Sequence, residues 1–570
     1  MPSRNENQGI ISNIKTCPHC TAQFVITDED EVAHARFGFE VPDECSLCRH
    51  KQRIAFRNGR QLHWRTCDLC KKDMVSNIAG WKPYKVYCPD CWYSDRWDPL
   101  SFGRDFDFGR PFFEQFSELK CDVPMLGLTR INCENSDYCN MCGGNKNCYL
   151  VFGGDFNEET LFGTLCMHNK FAVDCDFANR NQFCYFLNDS YDCYGCRFIF
   201  DCKNCSDCAF CSDSTGCRDC ILCTMLVQKQ YCIRNLQFSK EEYERQKRDL
   251  VNGSYMQQQK NWSEFLALRG TRTVKYAHIL NAQHCGGDYI EGSKNCRKCF
   301  DVWDCEDLFD IVLATDAKDC VDCGFVGHGL ERCCNLQSAI GDFECMYGFS
   351  VWNCQHAEYC DTVIQSRSIF GSTQLHQKHH CILNKEYTEQ EFKNLRERIV
   401  EHMKKSDEWG RFFPRSLSTF GYNESTACDF FPMSREQALK EGFTWDDHPP
   451  EVAHAEKEIN AAELPDHIDD IPDDILAWAV RSEKTGPKGA PFGGRPFKII
   501  KQELEFYRQH RIPIPHLHPD ERHLLRMSLR NPRTMWKREC MKCDKEIETT
   551  YSPERTERVL CEECYLKEVY

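Results

Sequence analysis

The middle of the chain repeats small residues at intervals of three. All eighteen cysteines from Cys121 to Cys232 lie multiples of three apart, and one series from Cys166 to Cys220 advances nine residues at each step. Turn-forming Asn, Asp, Gly and Ser separate short aromatic runs such as CYLVF and CRFIF. A fixed period of this kind is typical of stacked repeats. We therefore predict a β-solenoid-like block with nine residues per side and eighteen per coil, in which the cysteines form ladders.

The block is duplicated. A shift of 149 residues without a gap carries Cys184 onto Cys333 and Cys232 onto Cys381. Each copy is followed by a capping box and an amphipathic pattern, SKEEYERQKRDL in the first and TEQEFKNLRERIVEHM in the second. In such a box a hydroxyl and a carboxylate satisfy the first free amides of a helix. The sequence predicts two cysteine-rich repeat blocks, each closed by an α-helix.

Both ends of the chain carry paired Cys-x2-Cys motifs. Two such knuckles held together by a short hairpin supply four thiolates to a tetrahedral Zn²⁺, and metal binding helps to fold the module. Metal-free structural cysteines are a weaker alternative, since core packing does not require this spacing. A thioredoxin-like motif needs a single pair in a βαβ setting. We predict three zinc ribbons, with ligands Cys17, Cys20, Cys45 and Cys48; Cys67, Cys70, Cys88 and Cys91; and Cys540, Cys543, Cys561 and Cys564.

The two ends are copies of each other. A shift of 473 residues carries the second N-terminal ribbon onto the C-terminal one, but the first ribbon of the C-terminal pair lacks cysteines. Its ligand positions hold Ala490, Gly493, His518 and Glu521. Two of these residues have no metal-binding group, so we predict a decayed site held by packing. The alternative is a metal held by the neighbouring His516, His518 and His523.

A strongly basic segment lies between the two ribbons of each pair. RHKQRIAFRNGRQLHWR begins at Arg49 and RHLLRMSLRNPRTMWKR begins at Arg522, and each holds six Lys or Arg and no acid. Arginines spaced i, i+4 and i+8 would form a stripe on a helix. Such a stripe is either a solvated face or a contact for RNA or an acidic protein, and neighbouring tryptophans favour the latter. The candidate contact residues are Arg49, Arg53, Arg57, Arg522, Arg526 and Arg530.

Three interpretations remain open for the cysteines of the repeat blocks. Reduced cysteine can fill a narrow interior as a small apolar side chain. The runs Cys202–Cys211 and Cys217–Cys223 also resemble thiolate-rich zinc sites or, less closely, iron–sulfur sites. Packing is the leading interpretation, because the ligand spacing and trailing proline of bacterial ferredoxins are missing.

Composition narrows the class of protein. Of 570 residues, 43 are cysteine, and the formal net charge of −16 disfavours a general nucleic-acid coat. A chain of this length does not need disulfide staples, and it shows neither a leader nor a membrane-spanning apolar run. We therefore expect a soluble protein of the reducing cytoplasm, with its thiols free. An acidic, proline-broken segment from 441 to 474 reads as a connector.

Several motifs together resemble a known family. They are the two Cys-Ile-x-Asn endings with their helices, WGRFFP at Trp409, FGYNE at Phe420 and the paired ribbons. The chain resembles a family of cysteine-rich zinc-ribbon proteins from candidate-phyla bacteria. The resemblance implies zinc binding and this architecture, and it implies no mechanism.

The predicted fold is mostly β and multidomain, with zinc ribbons at both ends flanking two β-solenoid-like blocks closed by helices. The expected domains are 1–100, 121–270, 271–410, a connector at 411–480, and 481–570. Two functions remain open. One is a zinc-binding, non-enzymatic scaffold that contacts RNA or an acidic protein, and the other is a metal or redox protein, or an enzyme, using thiolates of the repeats.

Overall fold

The computed structural model describes residues 14–449, 455, 457–483 and 494–569. The chain forms two compact units. The first comprises residues 1–127, 277–447 and 533–535, and the second comprises 128–276, 448–532 and 536–570. Each unit therefore combines one end of the chain with one repeat block, an association that the linear order of the motifs does not predict.

The described residues form many small sheets and twelve α-helices, so the fold is mostly sheet as predicted. The helices are Asp28–Ala35, Ser46–Ile54, Pro89–Trp92, Phe112–Asp122, Lys240–Leu250, Tyr255–Gly270, Glu389–Lys405, Thr426–Phe430, Arg435–Lys440, Lys501–Gln509, Pro519–Ser528 and Glu562–Val569. Short 3-10 helices lie at Pro99–Phe102, Arg415–Leu417, Tyr422–Glu424, Ala461–Glu463, Ile468–Asp470 and Asp473–Ala477. None of the helices in these described ranges has the length and apolar character needed to cross a bilayer.

The first repeat block is a ladder of parallel strands. Each strand pairs with the one twelve residues later: Leu161 with Val173, Val173 with Tyr185, and Tyr185 with Arg197. The predicted eighteen-residue coil with nine residues per side is therefore wrong, and the pairing step is twelve. The strands of this sheet are Tyr149–Phe152, Leu161–Thr164, Val173–Asp176, Tyr185–Asn188, Arg197–Phe200, Ala209–Ser212, Arg218–Thr224, Gln230–Ile233 and Leu236–Gln237.

The three-residue interval has a backbone cause. From Met141 to Arg234 every third residue has a positive φ, between 47° and 64°. This left-handed conformation turns the chain, and Asn and Asp, which tolerate it best, hold many of these positions. The cysteines of the block occupy the position immediately after each left-handed residue. Four such three-residue steps make one twelve-residue pairing step, so a nine-residue series such as Cys166 to Cys220 runs diagonally across the ladder.

Stacked rings accompany the left-handed residues. Phe198 and Phe210, twelve residues apart, have ring centroids 4.6 Å apart and planes 5° apart. Tyr347 and Tyr359 stack in the second block with centroids 4.9 Å apart. A bulky residue in the left-handed region costs roughly 1–2 kcal/mol. Ring contacts between successive steps, together with the ladder hydrogen bonds, offset part of that cost.

The second repeat block uses the same pairing with two irregular steps. Most pairs are twelve residues apart, but Ile279 pairs with Ile290 and Lys318 with Glu331, at eleven and thirteen residues. These changes explain why its cysteines keep the three-residue interval less strictly. Its strands are Ile279–Leu280, Gly287–Glu291, Cys299–Trp303 and Val312–Thr315, then Cys334–Gln337, Met346–Trp352, Gln355–Ile364, Arg367–Phe370, Thr373–His376, His379–Ile382 and Lys385–Glu386.

Each block ends in an antiparallel turn and a capped helix, as the sequence predicts. Cys232 pairs with Gln237 in the first block, and Cys381 pairs with Glu386 in the second. The side chains of Ser239 and Thr388 then accept the backbone N–H three residues later, and the helices Lys240–Leu250 and Glu389–Lys405 begin. The N-cap bonds satisfy amides that the helix itself leaves free.

The remaining short strands form small sheets outside the two long ladders. Within the first unit Val86–Tyr87 pairs with Met125–Leu126, and within the second Arg130–Ile131 pairs with Cys142–Gly143 and Thr273–Lys275 with Arg558–Leu560. The strands Lys457–Asn460, Trp478–Arg481 and Pro496–Phe497 form a small sheet. Part of the predicted acidic connector is thus ordered: Ile468, Ile471 and Ile475 belong to the core of the second unit.

Candidate metal centres

Each predicted ribbon begins with the same tight knuckle. The N–H of Cys17 donates to Ala22 O at 2.9 Å, and Thr21 N–H donates back to Cys17 O at 3.0 Å. Thr21 has a positive φ of 59°, as do the residues four positions after Cys67 and Cys540, at 64° and 58°. This left-handed residue closes the loop around the two sulfurs. The hairpins that carry the knuckles are Ile14–Thr16 with Gln23–Val25, His63–Thr66 with Asp73–Ser76, and Trp536–Glu539 with Glu546–Thr549.

The second knuckle of each ribbon starts a helix. Cys45 is the N-cap of Ser46–Ile54, Cys88 is the N-cap of Pro89–Trp92, and Cys561 directly precedes Glu562–Val569. The following cysteine of each pair lies in the first turn. A metal bound at these positions would therefore fix both the start and the direction of the helix.

The structure brings each predicted set of four cysteines together. In all three sets the four sulfurs lie within 4.8 Å of one another. The Sγ–Sγ distances are 3.7 Å for Cys20–Cys45, 3.9 Å for Cys70–Cys88 and 3.7 Å for Cys543–Cys561. A tetrahedron with Zn–S bonds of about 2.3 Å has edges of about 3.8 Å. The twelve thiols therefore fit three tetrahedral metal ions of zinc size.

Backbone amides support the sulfurs, and Arg96 Nη2 donates to Cys91 Sγ at 2.7 Å. Cys88 N–H donates to Cys67 Sγ at 3.3 Å, and Cys561 N–H donates to Cys540 Sγ at 3.2 Å. Burial raises the pKa of Cys67, but amide hydrogen bonds from Cys70 and Cys88 outweigh it and lower the pKa to about 6. In the first ribbon, the thiol of Cys48 donates to Cys45 and lowers the pKa of Cys45 to about 5. Each of these two sets thus contains a cysteine whose pKa is lowered, which favours the thiolate form that binds metal.

The fourth, cysteine-free position is filled by a hydrogen-bond network. Glu521 is fully buried, and it accepts from the hydroxyl of Ser482 and, at 3.0 Å, from the N–H of His518. His518 caps the helix Pro519–Ser528, as Cys45 does for Ser46–Ile54. Ala490 and Gly493 lie outside the described residues.

The three histidines near this position are drawn apart by other contacts. His516 Nδ1 lies 2.7 Å from Glu483 Oε1, His523 Nδ1 lies 3.0 Å from Asp176 Oδ1, and His518 Nδ1 accepts the N–H of Asp520 at 3.1 Å. Within the described part of the chain, these histidines do not form a metal-ligand group. The arrangement favours the decayed site held by packing.

The N-terminal arginines are buried rather than exposed. Arg49, Arg53 and Arg57 are 7%, 0% and 7% exposed. Arg49 Nη2 lies 2.8 Å from Asp310 Oδ2 and 3.0 Å from Asp322 Oδ1. Burial alone would raise the pKa of Asp322, but Arg49, Arg53 and His34 around it hold that pKa well below its usual range.

The C-terminal arginines repeat this arrangement in the second unit. Arg522, Arg526 and Arg530 are 2%, 0% and 7% exposed. Arg526 contacts Asp174 at 2.9 Å through Nη1 and Asp176 at 2.7 Å through Nε. The expectation that these six arginines form an exposed basic stripe is therefore wrong. Their guanidinium groups are used inside each unit, and the i, i+4 spacing reflects docking onto a repeat block.

Sequence reasoning missed the carboxylates that receive the arginines. Asp174 and Asp176 stand in a strand whose four residues are all buried, and Asp310 and Asp322 are twelve residues apart, one pairing step of the ladder. A buried strand rarely contains an unpaired acid. Acidic residues separated by the twelve-residue pairing step, as Asp310 and Asp322 are, were the signal in the sequence that could have identified these carboxylates.

Most cysteines of the repeat blocks lie at the corners of the ladder, which are the positions directly after the left-handed residues. The thiol of Cys184 lies 3.2 Å from the carbonyl oxygen two residues before it and 3.6 Å from the one nine residues after it. The hydroxyl of Ser190 makes the same two contacts at 3.0 and 3.4 Å. Cys196 Sγ also accepts the N–H of Cys208 at 3.4 Å, and Asn157 Oδ1 accepts the N–H of Asn169 at 3.0 Å. In both cases the donor lies twelve residues later in the chain. Cysteine, serine and asparagine are thus equivalent there as small donors and acceptors.

This equivalence favours packing over metal binding. Most of the repeat-block thiols are buried, and all 43 cysteines of the chain are free. Among the described residues, no three thiols of a repeat block bring their sulfurs within 4.8 Å of one another, unlike those of the ribbons. The three-residue spacing that links Cys202, Cys205, Cys208 and Cys211 equals the spacing of successive corners of the ladder.

Comparison with known proteins adds no further assignment. No protein-family model matches the chain, and a search of curated proteins finds no match.

Proposed function

We propose that this protein is a zinc-binding, non-enzymatic scaffold in which three zinc ions hold the ribbons at the two ends. The observation that carries the proposal is the convergence of three sets of four thiols, with sulfur separations of 3.7–3.9 Å. Four thiolates in a closed tetrahedron with no open position are typical of structural zinc. The same donor set also suits iron, which metal analysis separates from zinc.

The metal at the first ribbon would act on the rest of its unit through one helix. Cys45 and Cys48 lie at the start of Ser46–Ile54, and the same helix carries Arg49 and Arg53, whose charges meet Asp322. Fixing the helix start positions the arginines for their carboxylates. We infer that zinc couples the ribbon to the repeat block rather than supplying chemistry.

The repeat blocks are proposed to act as β-solenoid-like rigid spacers. Continuous parallel pairing at a twelve-residue step, with hydrogen-bonded corners, supports this role. A contact with RNA or an acidic protein finds no support from the six arginines, because all six are buried and their guanidinium groups contact groups within their own unit. Membership in the zinc-ribbon family of candidate-phyla bacteria and a cytoplasmic location remain part of the proposal.

Elemental analysis of the purified full chain tests the proposal. We expect three zinc ions per chain, falling to two in Cys48→Ser and remaining three in the matched control Cys205→Ser. Cys205 is a buried repeat-block thiol, and serine occupies equivalent corners such as Ser190. Iron in place of zinc, or metal lost on changing Cys205, would refute the assignment of metal to the ribbons alone.

A further inference from the structure

One pair of thiols in the first repeat block differs from the others in its surroundings. Cys133 Sγ and Cys142 Sγ are 3.8 Å apart, and Cys142 is 4% exposed while Cys133 is partly exposed. The two residues are nine positions apart, the same separation as in the diagonal series of buried thiols from Cys166 to Cys220. The same shift of 149 residues leads to Ala282 and Glu291, so the second block lacks a pair with this spacing. Its partly exposed Cys285 instead contacts Cys296, eleven residues away, and the pKa of Cys285 is raised rather than lowered.

The pair lies where the ladder ends. The strand Arg130–Ile131 pairs with Cys142–Gly143 and, within the described residues, has no strand on its other side. Ile131 is 44% exposed. A terminal segment held from one side can move more cheaply than an interior one, and the two sulfurs need to approach by about 1.8 Å to reach bonding distance.

The local groups favour a thiolate at Cys133. The Cys142 thiol donates to it, a backbone N–H of Asn145 points at it and Arg130 lies nearby; against the opposing effect of burial, these lower the pKa of Cys133 to about 6. The pKa of Cys142 is raised by hydrogen bonding to Cys133 and Cys139. One sulfur is thus accessible and prepared to attack, and the other is its enclosed neighbour.

We propose that Cys133 and Cys142 form a redox-active dithiol that exchanges with small-molecule disulfides. The Cys133 thiolate attacks one sulfur of the disulfide, whose S–S bond breaks and releases one thiolate. Cys142 then loses its proton and attacks Cys133, so the mixed disulfide breaks and the second small thiolate leaves. The two protein thiols are oxidised, and the small disulfide is reduced to two thiols that take up the two protons.

The proposal is independent of zinc in the ribbons, and a buried pair provides a matched control. Cys166 and Cys175 are also nine residues apart and in thiol contact, but both are 0% exposed. The probe is oxidised glutathione, added to the reduced, metal-loaded full chain. The reaction is stopped by alkylation with N-ethylmaleimide, and mass spectrometry of the peptides identifies each oxidised cysteine.

We expect the Cys133–Cys142 cross-link to form at least tenfold faster than any oxidation of Cys166 or Cys175, with the metal content unchanged. In Cys142→Ser, glutathione should remain attached to Cys133, and in Cys133→Ser, Cys142 should stay reduced. Equal rates for the two pairs, or no trapped glutathione in a folded Cys142→Ser protein, would overturn the proposal. A zinc content other than three alongside a fast cross-link would instead contradict only the proposed function.

Discussion

Two helices that are copies of each other are held at their starts by different means. Ser46–Ile54 begins at a set of four thiols, whereas Pro519–Ser528 begins at Glu521, Ser482 and His518 without cysteine. Both nonetheless direct arginines onto buried aspartates of a repeat block. The difference indicates that a helix start at this position can be built either from four converging thiols, a candidate metal site, or from a hydrogen-bond network.

The comparison also separates two uses of cysteine. In each of the three terminal sets four sulfurs converge, an arrangement that could hold a metal ion. In the repeat blocks many sulfurs lie near backbone carbonyl oxygens and several also accept a backbone N–H, so the thiol acts as a small side chain that tolerates burial. Its equivalents there are serine and asparagine, whereas in the one decayed ribbon the equivalents are unrelated residues.

The largest effect is expected from removing one of the four thiols at the start of the helix Ser46–Ile54. In Cys48→Ser the first ribbon should lose its metal, because three thiolates no longer close the tetrahedron. Hydrogen exchange of the amides in Ser46–Ile54 should accelerate by roughly 10,000-fold or more, since local opening no longer has to release a metal whose binding contributes about 10 kcal/mol or more. Exchange in Pro519–Ser528 of the same molecules serves as the control and should not change. Unchanged exchange in both helices would contradict a positioning role for the metal.

A smaller effect, equal in the two units, is expected from removing a docking arginine. Arg53→Met removes one of three partners of Asp322, and Arg526→Met removes one of two partners of both Asp174 and Asp176. Weakening a buried ion-pair network in this way costs up to about 3–5 kcal/mol. Arg180→Met is the control, because the Arg180–Asp192 pair is solvent-exposed and contributes about 0–1 kcal/mol. Urea unfolding read by hydrogen exchange within the affected unit measures each loss. A cost near that of the control would show that the ion pairs do not hold the docked state.

The smallest effect is expected from the hydrogen-bonded helix start. Glu521→Ala removes a buried acceptor that serves both the Ser482 hydroxyl and the His518 amide, and leaves each with only its longer second bond. The expected cost is about 1–3 kcal/mol. Glu505→Ala, on the exposed face of a neighbouring helix, should lie within about 0.5 kcal/mol of the parent. Thermal unfolding compares the two. If Glu521→Ala is as mild as Glu505→Ala, the network does not replace the metal.

Features that depend on a few neighbouring residues were predictable from the sequence, but the twelve-residue pairing step of the ladder was not. Cys-x2-Cys pairs and helix caps act over a few residues, and the structure places the cysteine pairs and the Thr388 capping box as expected. At Ser239 the serine bond forms, but the Glu242 carboxylate bonds to Arg245 and Gln246. The interval of three was also visible, but the series from Cys166 to Cys220 suggested nine residues per side. That series follows a diagonal, because residues such as Asn157 and Ser190 share the corners with cysteine and conceal the twelve-residue step.

The arginines show a different limit. Their helical spacing was read correctly for Arg49 and Arg53, but the partners lie 261 to 273 residues away in the sequence. A basic stripe looks the same in sequence whether it faces solvent or docks onto buried acids. Only the burial of Asp174, Asp176 and Asp322 decides between the two, and burial of a short strand depends on tertiary packing.

The twelve-residue pairing step has a consequence for the order of folding. Contacts within a repeat block join residues close in sequence and form early, whereas Arg49 must wait for Asp310 and Asp322. At ordinary rates of synthesis, about 270 residues take on the order of tens of seconds to a minute. During that time the N-terminal arginines emerge from the ribosome without their partners. The C-terminal arginines, by contrast, are made after their repeat block and can dock at once.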